Sequence, residues 1–412
     1  MKRLPPQQRS QSRFAVLGLL LACLAVFLWR VLSAVPAAPE PLPPPSMPCV
    51  HAGLEAALAE WSRTVQRPAS RFPKSRKWIY YVNTGLGRGG FADRLNGVMA
   101  SLIMAVHTGR ALGIYWTSPA PLQDALRPTE YIPWAIASPP PASTVTFDCL
   151  NYYFTNCSKV HDAVLASREH HISLVANTNW LDGVLADPRF AHDVRARYSV
   201  LIAGVPATYA SSFACLFQRL FTPTGTTLAM YTRALARLGD SKLNCVQLRL
   251  GLGGKQAWND SESFLNMTLV ARVAQRAKMS ERALGNKVKL LATSDSAHAL
   301  DVFLSAFDVG ALVMDTRAGI MHIDRVHGSQ YAREFSATLA TFLLFAHCDA
   351  AIVTERSGFG RLGVWLKGSP RRSELDGFFF LALRASQVAL GKAPLIRFCD
   401  SDDPLNDSGC SS

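Results

Sequence analysis

Residues 78–116 read WIYYVNTGLGRGGFADRLNGVMASLIMAVHTGRALGIYW, and this stretch sets the fold class. Trp78 to Val82 is an unbroken apolar run, short enough for one buried strand. Gly85-Leu-Gly87-Arg-Gly89-Gly90 follows as a loop. Leu95, Val98, Met99, Leu102, Ile103 and Val106 then recur at helical spacing, and Gly109 marks the stop. Ala111 to Trp116 reads as the next strand. A strand, glycine loop, helix and strand in that order imply a parallel sheet and an α/β protein.

Gly85, Gly87 and Gly90 satisfy G-x-G-x-x-G, a weak signal when it stands alone. A dinucleotide fold wants an acidic residue closing the second strand, to hold a ribose. That strand ends Ile114-Tyr115-Trp116-Thr117, which argues against NAD. The loop still offers backbone donors at a helix N-terminus, where anions are favoured. Asp93 reads either as an ordinary helix cap or as a carboxylate facing a ligand.

The second half repeats the alternation. Strands are expected at Asn244 to Leu250, Val288 to Thr293, Ala311 to Met314 and Ala350 to Thr354. Helices are expected at Phe264 to Lys278, Ala297 to Phe307, Tyr331 to His347 and Arg361 to Leu366. Residues 119–147 read as loop, and the topology of 148–239 is left open. The expectation is two doubly wound Rossmann-type domains, 78–239 and 240–412, with a crevice between them.

The chain has 412 residues, 18% charged and 49% hydrophobic, enough apolar content for a large core. Its formal net charge of +13 suits an anionic partner. The basic residues are scattered, without a run or an aromatic-interleaved stripe, which argues against a nucleic-acid protein.

Residues 1–13 carry Lys2, Arg3, Arg9 and Arg13 and no acidic residue. An apolar segment, 14–35, follows, interrupted at Arg30, which can snorkel outward. A Pro-rich stretch then reads as a stem, taken to residue 77. Positive charge ahead of the apolar segment keeps that end cytosolic, giving a single-pass transmembrane anchor with the bulk of the chain lumenal. Ser33 and Ala34 also fit a signal-peptide cleavage site, which leads to the same compartment. Sequons at Asn156, Asn259, Asn266 and Asn406 agree with a lumenal location. Beyond the anchor lie Cys49, Cys149, Cys157, Cys215, Cys245, Cys348, Cys399 and Cys410, some of which should pair in an oxidising lumen. Their connectivity is not readable. No Cys/His cluster at metal spacing occurs, so no structural metal is expected.

Three further motifs sit at expected strand ends. Cys245-Val-Gln247-Leu-Arg249 places a guanidinium where it can grip phosphate oxygens, as departure of a nucleoside diphosphate requires, or it reads as a surface arginine or one paired with a core carboxylate. Ala292-Thr-Ser-Asp295 offers a carboxylate for a base edge or ribose, or a cap for the next helix. Ser357-Gly358-Phe359-Gly360-Arg361 offers hydroxyl and backbone donors at a strand-to-helix turn.

Taken in order, these pieces resemble the fucosyltransferase superfamily, which uses GDP-fucose. Gly89-Gly90-Phe-Ala-Asp93-Arg94-Leu95-Asn-Gly97 resembles its early glycine-loop motif. Gln247-Leu248-Arg249 stands where the family carries His-x-Arg, and Thr293-Ser294-Asp295 resembles its Thr-Asp-Asp/Ser strand end. Ser357-Gly-Phe-Gly-Arg361 with Trp365-Leu366 resembles its late motif. The resemblance implies a GT-B-like fold, inverting transfer to a glycan or glycoprotein acceptor, no metal and a Golgi type II location. Anchored enzymes of this kind often self-associate, so a homo-oligomer is also in view. By that likeness Arg249 holds the β-phosphate, Asp295 contacts the guanine or its ribose, and Ser357 with Phe359 lines the diphosphate pocket. Gly89, Gly90, Arg94, Gln247, Gly358, Gly360 and Arg361 complete the expected donor site. Candidates for the general base are Asp93, Asp260 and Glu262. Gln247 departs from the family histidine, and Leu250 from a second arginine. Those departures keep two rivals open: a transferase using another sugar nucleotide, and a non-catalytic glycan-binding protein of the same fold.

Overall fold

The computed structural model describes residues 52–71, 76–85, 89–118, 120–136, 138–149, 157–176, 181–202, 209–250, 267–316, 331–354, 357–367, 378–383, 396–399 and 410–411. The anchor segment 14–35 and the asparagines of all four sequons lie outside them. Among the described residues no helix is long and apolar enough to cross a membrane.

The fold begins earlier than the stem reading allowed. Helix α1 (Ala52–Trp61) leads through a π-helical turn (Ser62–Gln66) into α2 (Arg67–Arg71). Leu54, Ala57, Leu58 and Trp61 fall on one helical face and are buried, so this segment belongs to the core. Composition pointed to a stem up to residue 77, but this spacing overrides it.

Strand β1 (Trp78–Asn83), α3 (Phe91–Thr108) and β2 (Ala111–Trp116) form the expected unit, and β1 pairs with β2 in parallel. The Gln66 side chain exchanges hydrogen bonds with the backbone N–H and C=O of Leu112 at 2.7 and 2.9 Å, covering the β2 edge. A short strand β3 (Leu126–Pro128) lies in the segment read as loop, and β4 (Val145–Cys149) begins there. After α4 (Cys157–Ala166) comes β5 (His171–Ala176), which completes a parallel sheet ordered β2-β1-β5-β4. Gly97 allows α3 to lie on this sheet: a Cβ there would sit 2.0 Å from the Ala176 carbonyl oxygen.

Helices α5 (Leu181–Ala186), α6 (Pro188–Tyr198) and α7 (Tyr209–Leu220) fill the region left open, followed by β6 (Phe221–Pro223), paired with β3, and α8 (Gly225–Leu238). The second sheet then forms from β7 (Lys242–Leu248), α9 (Met267–Leu284), β8 (Val288–Ser294), α10 (Ala297–Leu304), α11 (Tyr331–Leu344), β9 (Ala350–Thr354) and α12 (Gly358–Trp365). Strands β10 (Phe378–Leu383), β11 (Ile396–Cys399) and β12 (Cys410–Ser411) extend it in the order β12-β11-β10-β9-β7-β8. Neighbours from β8 to β10 run parallel, and the last two strands pair antiparallel.

The expected strand at Ala311 to Met314 is absent. A 3₁₀ turn (Val309–Ala311) is followed by a single bridge from Leu312 to Leu290. Ala311 is taken into the 3₁₀ turn, and the pairing goes no further than that bridge.

Alternation along β7 sends Val246 and Leu248 to the core under α9 and α10. Leu243, Cys245 and Gln247 face the other way, and Leu243 and Cys245 join a core shared with α3, α7 and α11. Aromatic contacts bind the two sheets' layers, with Phe91 and Phe213 both edge-on to Phe342 at 5.1 and 6.3 Å. A buried disulfide joins Cys245 to Cys348, tying β7 to the approach to β9.

Candidate functional site

An open cleft of ≈ 590 Å³ lies where the N-termini of α3 and α12 meet the carboxyl ends of β7 and β8. Gly90, Asp93, Gln247, Arg249, Asp295, Ser357, Gly358 and Phe359 all line it, so eight of the residues expected to act together are together. In open α/β sheets the crevice beyond the strands' carboxyl ends is where ligands bind.

The α3 junction is built from its own residues. Asp93 is the third helical residue, and its Oδ2 accepts from the Gly90 N–H at 2.8 Å, one half of a capping box. Gly89 has φ +84°, and a Cβ there would lie 2.8 Å from Asp93 Oδ2, so no side chain fits. Arg94 does not line the cleft, contrary to its expected donor role. It is fully buried, donates through Nε to the Gly89 carbonyl at 3.0 Å and through a guanidinium nitrogen to the Ser118 carbonyl, and lies 5.6 Å over Trp116. A buried cation needs such partners, and the loop carbonyls supply them. Gly89 likewise shapes the turn from outside the cleft lining.

At the β7 end, Gln247 is locked in place. Its Oε1 accepts from the Thr354 N–H at 3.3 Å, and its backbone carbonyl accepts from the Thr354 hydroxyl at 3.2 Å. A Cβ on Gly360 would come within 2.7 Å of that Oε1. Gly360 is therefore a close-packing residue behind the cleft, where a donor contact was expected. The Thr354 hydroxyl also accepts from the Arg249 N–H at 2.9 Å, fixing the backbone that carries the cleft's arginine.

Asp295 does not cap α10. Ser296 does, its Oγ accepting from the Ala299 N–H at 3.2 Å. Asp295 Oδ1 instead accepts from the Leu250 N–H at 2.8 Å, joining the loops after β7 and β8 while lining the cleft.

The α12 junction differs. Ser357 occupies the cap position, is 1% exposed and makes no side-chain capping bond. Its Oγ, and the buried Oγ1 of Thr293, have no hydrogen-bond partner among the described residues, and both residues line the cleft. Buried hydroxyls normally find partners, so two orphans on one cleft mark where a polar ligand belongs. Gly358 brings this junction against α3, since a Cβ would lie 3.1 Å from Ala92 Cβ. Phe359 lines the cleft and also packs on Phe342 and Phe345 at 5.5 and 6.2 Å, anchoring α12. Arg361 lies one turn into α12, outside the cleft lining, with its N–H donating to the Ser357 carbonyl.

Asp260 and Glu262 lie outside the described residues. Thr293, Ser294 and Thr338 line the cleft without having been singled out individually. The Thr293-Ser294-Asp295 motif gave a signal for two of them; Thr338, on a largely apolar helix, gave none. Among the described residues no group of three or more His, Cys, Asp or Glu side chains is placed to hold a metal.

The largest histidine shift lies at the far end of α3. His107 is fully buried, 3.4 Å from His161 and 3.2 Å from Asp193. Burial, reinforced by His161, pushes its pKa down to about 4. His161 is lowered too, chiefly by burial.

No protein-family model matches the chain, and no curated protein matches its sequence. By three-dimensional comparison it is similar to GDP-bound FUT1 from Arabidopsis thaliana, with a TM-score of 0.55 and 14% identity over 87% of this chain and 82% of that one. It is also similar to the fucosyltransferase NodZ from Bradyrhizobium, at TM-score 0.41 and 16% identity over 70% and 93% of the two chains. The first likeness establishes the class: this is an α/β chain with the two-sheet fold of the plant FUT1 structure.

Proposed function

We propose that the chain is a GT-B-type inverting fucosyltransferase, moving fucose from GDP-fucose to a glycan hydroxyl. The observation that carries this reading is the cleft itself. Arg249, two helix N-termini and the orphan hydroxyls of Thr293 and Ser357 converge there, a donor set suited to a diphosphate. FUT1, whose fold the chain shares, supplies the nucleotide by analogy, since it was solved with GDP, and the motif resemblance adds fucose.

In this reading Arg249 takes up charge on the β-phosphate as the C–O bond to fucose breaks. Ser357 and Thr293 donate to diphosphate oxygens, and Asp295 meets the guanine or its ribose. Asp93 is the candidate base within the described cleft, with one carboxylate oxygen already engaged by Gly90. Gln247 serves as a strut between β7 and β9, so the lack of a titrating histidine there does not by itself remove activity. No metal takes part. The apolar segment 14–35 anchors the protein in the Golgi membrane with this fold in the lumen.

The test uses the full-length chain in mild detergent, with and without Arg249→Ala. Binding and slow hydrolysis of GDP-fucose are compared with GDP-mannose and UDP-galactose in EDTA. Selective, EDTA-resistant binding of GDP-fucose that the substitution abolishes is expected. Preference for another donor would reject fucose and keep the transferase class. Folded protein that binds a donor without turning it over, acceptors included, would favour a non-catalytic glycan-binding role.

A further inference from the structure

A second pocket, open to solvent, lies between α8, α11 and the segment Val313–Asp315. Arg233 and Arg237, one turn apart on α8, line it together with Arg333 from the first turn of α11. The three side chains are exposed, and among the described residues none of them makes a hydrogen bond or an ion pair. Like charges four residues apart on a helix repel, so the arrangement works against stability while the cavity is empty. Asp315 and Glu334 share the lining, and Glu334 Oε2 is buried without a hydrogen-bond partner among the described residues.

Elements that line this pocket also reach the first cleft. On α11, Ala337 lines the arginine cavity and the next residue, Thr338, lines the cleft. The Val313 N–H donates to the Leu290 carbonyl at 3.1 Å, and the Thr316 hydroxyl donates to the Ala292 carbonyl. Val313–Asp315 thus runs beside β8, whose end, Thr293 to Asp295, forms the floor of the cleft.

We propose that the arginine cavity binds the acidic group of a negatively charged saccharide acceptor. Guanidinium forks match a carboxylate or sulfate ester in bidentate fashion, and the orphan Glu334 oxygen accepts from a neighbouring sugar hydroxyl. Calling this ligand the acceptor rests on the transferase reading above; the preference for an acidic sugar does not.

The test titrates the full-length chain with N-acetyllactosamine, its sialylated form and its 6-sulfated form, and separately with GDP. An acidic form is expected to bind about tenfold or more tighter than the neutral one, as charge-assisted bonds allow. That gap should shrink with added salt. It should close in Arg233→Gln/Arg237→Gln/Arg333→Gln with GDP affinity held and the melting temperature not lowered, since like-charge repulsion is removed, while Glu334→Gln weakens all bound sugars alike. Whichever acidic form wins identifies carboxylate or sulfate. Equal binding of neutral and acidic forms, no sugar binding, or a preference that survives the triple substitution overturns the proposal. An acidic preference in a chain that fails to bind GDP would instead overturn the transferase reading and leave the anion site standing.

Discussion

Two strand-to-helix junctions pack against each other at the cleft, and they treat their polar groups differently. At α3 the cap is closed: Gly90 N–H meets Asp93, and Arg94 holds the Gly89 carbonyl. At α12 the cap residue Ser357 makes no capping bond, and its hydroxyl is orphaned among the described residues. Both offer helix N-terminal donors to one space. In the proposed function the closed junction is scaffold, and the open one is left for the ligand.

The strongest challenge to that distinction removes the scaffold. Arg94→Met would leave the Gly89 and Ser118 carbonyls without their charged donor in a buried setting. A loss of about 3 kcal/mol is expected, read by chemical denaturation. If stability holds while GDP binding alone collapses, the closed junction is functional and the comparison fails.

Acidification tests the other end of the same helix. His107 has a native pKa near 4, below its ordinary value, so the folded state binds fewer protons than the unfolded chain. Stability from this group is fully present above about pH 6.5 and lost as pH falls toward 4. Going from pH 7 to pH 5 should cost about 2 kcal/mol. The loss should shrink in His107→Gln, measured by urea unfolding at both pH values.

Gly89→Ala probes the turn, where φ is +84° and Asp93 leaves no room. The left-handed conformation alone costs about 1–2 kcal/mol in an alanine. A melting temperature that falls with little change in GDP affinity per folded molecule would sharpen the contrast.

Ser357→Ala should leave stability unchanged or slightly raised, because no protein hydrogen bond is lost and a buried orphan hydroxyl is removed. GDP affinity should fall about tenfold, the worth of one charge-assisted bond, by calorimetry. A clear stability loss without a binding change would make Ser357 structural and erase the difference between the junctions.

The reach of the sequence follows the range of the forces involved. The β1-α3-β2 unit was legible because hydrophobic period and glycine punctuation are local, and β7, β8 and β9 for the same reason. β5 was not read, although it lies inside the first sheet between β1 and β4, because HISLVA alone does not select a strand. The helices Ala52–Arg71 were masked by a Pro-rich neighbourhood, although Leu54, Leu58 and Trp61 already held the spacing. In the cleft, the motifs named most of the lining residues but not their roles. Arg94 and Arg249 look equivalent on paper; one is buried under loop carbonyls, and the other lines the cleft.

By itself, then, the sequence determined the α/β class, the glycine-punctuated turns and the residues set at strand ends, because backbone conformation and amphipathic period act over a few residues. Only the tertiary structure decided which of those turns meet, that Gln247 props Thr354, that Cys245 pairs with Cys348, and that three arginines from two helices share one cavity. Those outcomes depend on packing between segments a hundred residues apart, where burial and orphaned polar groups exist only once the chain has closed on itself.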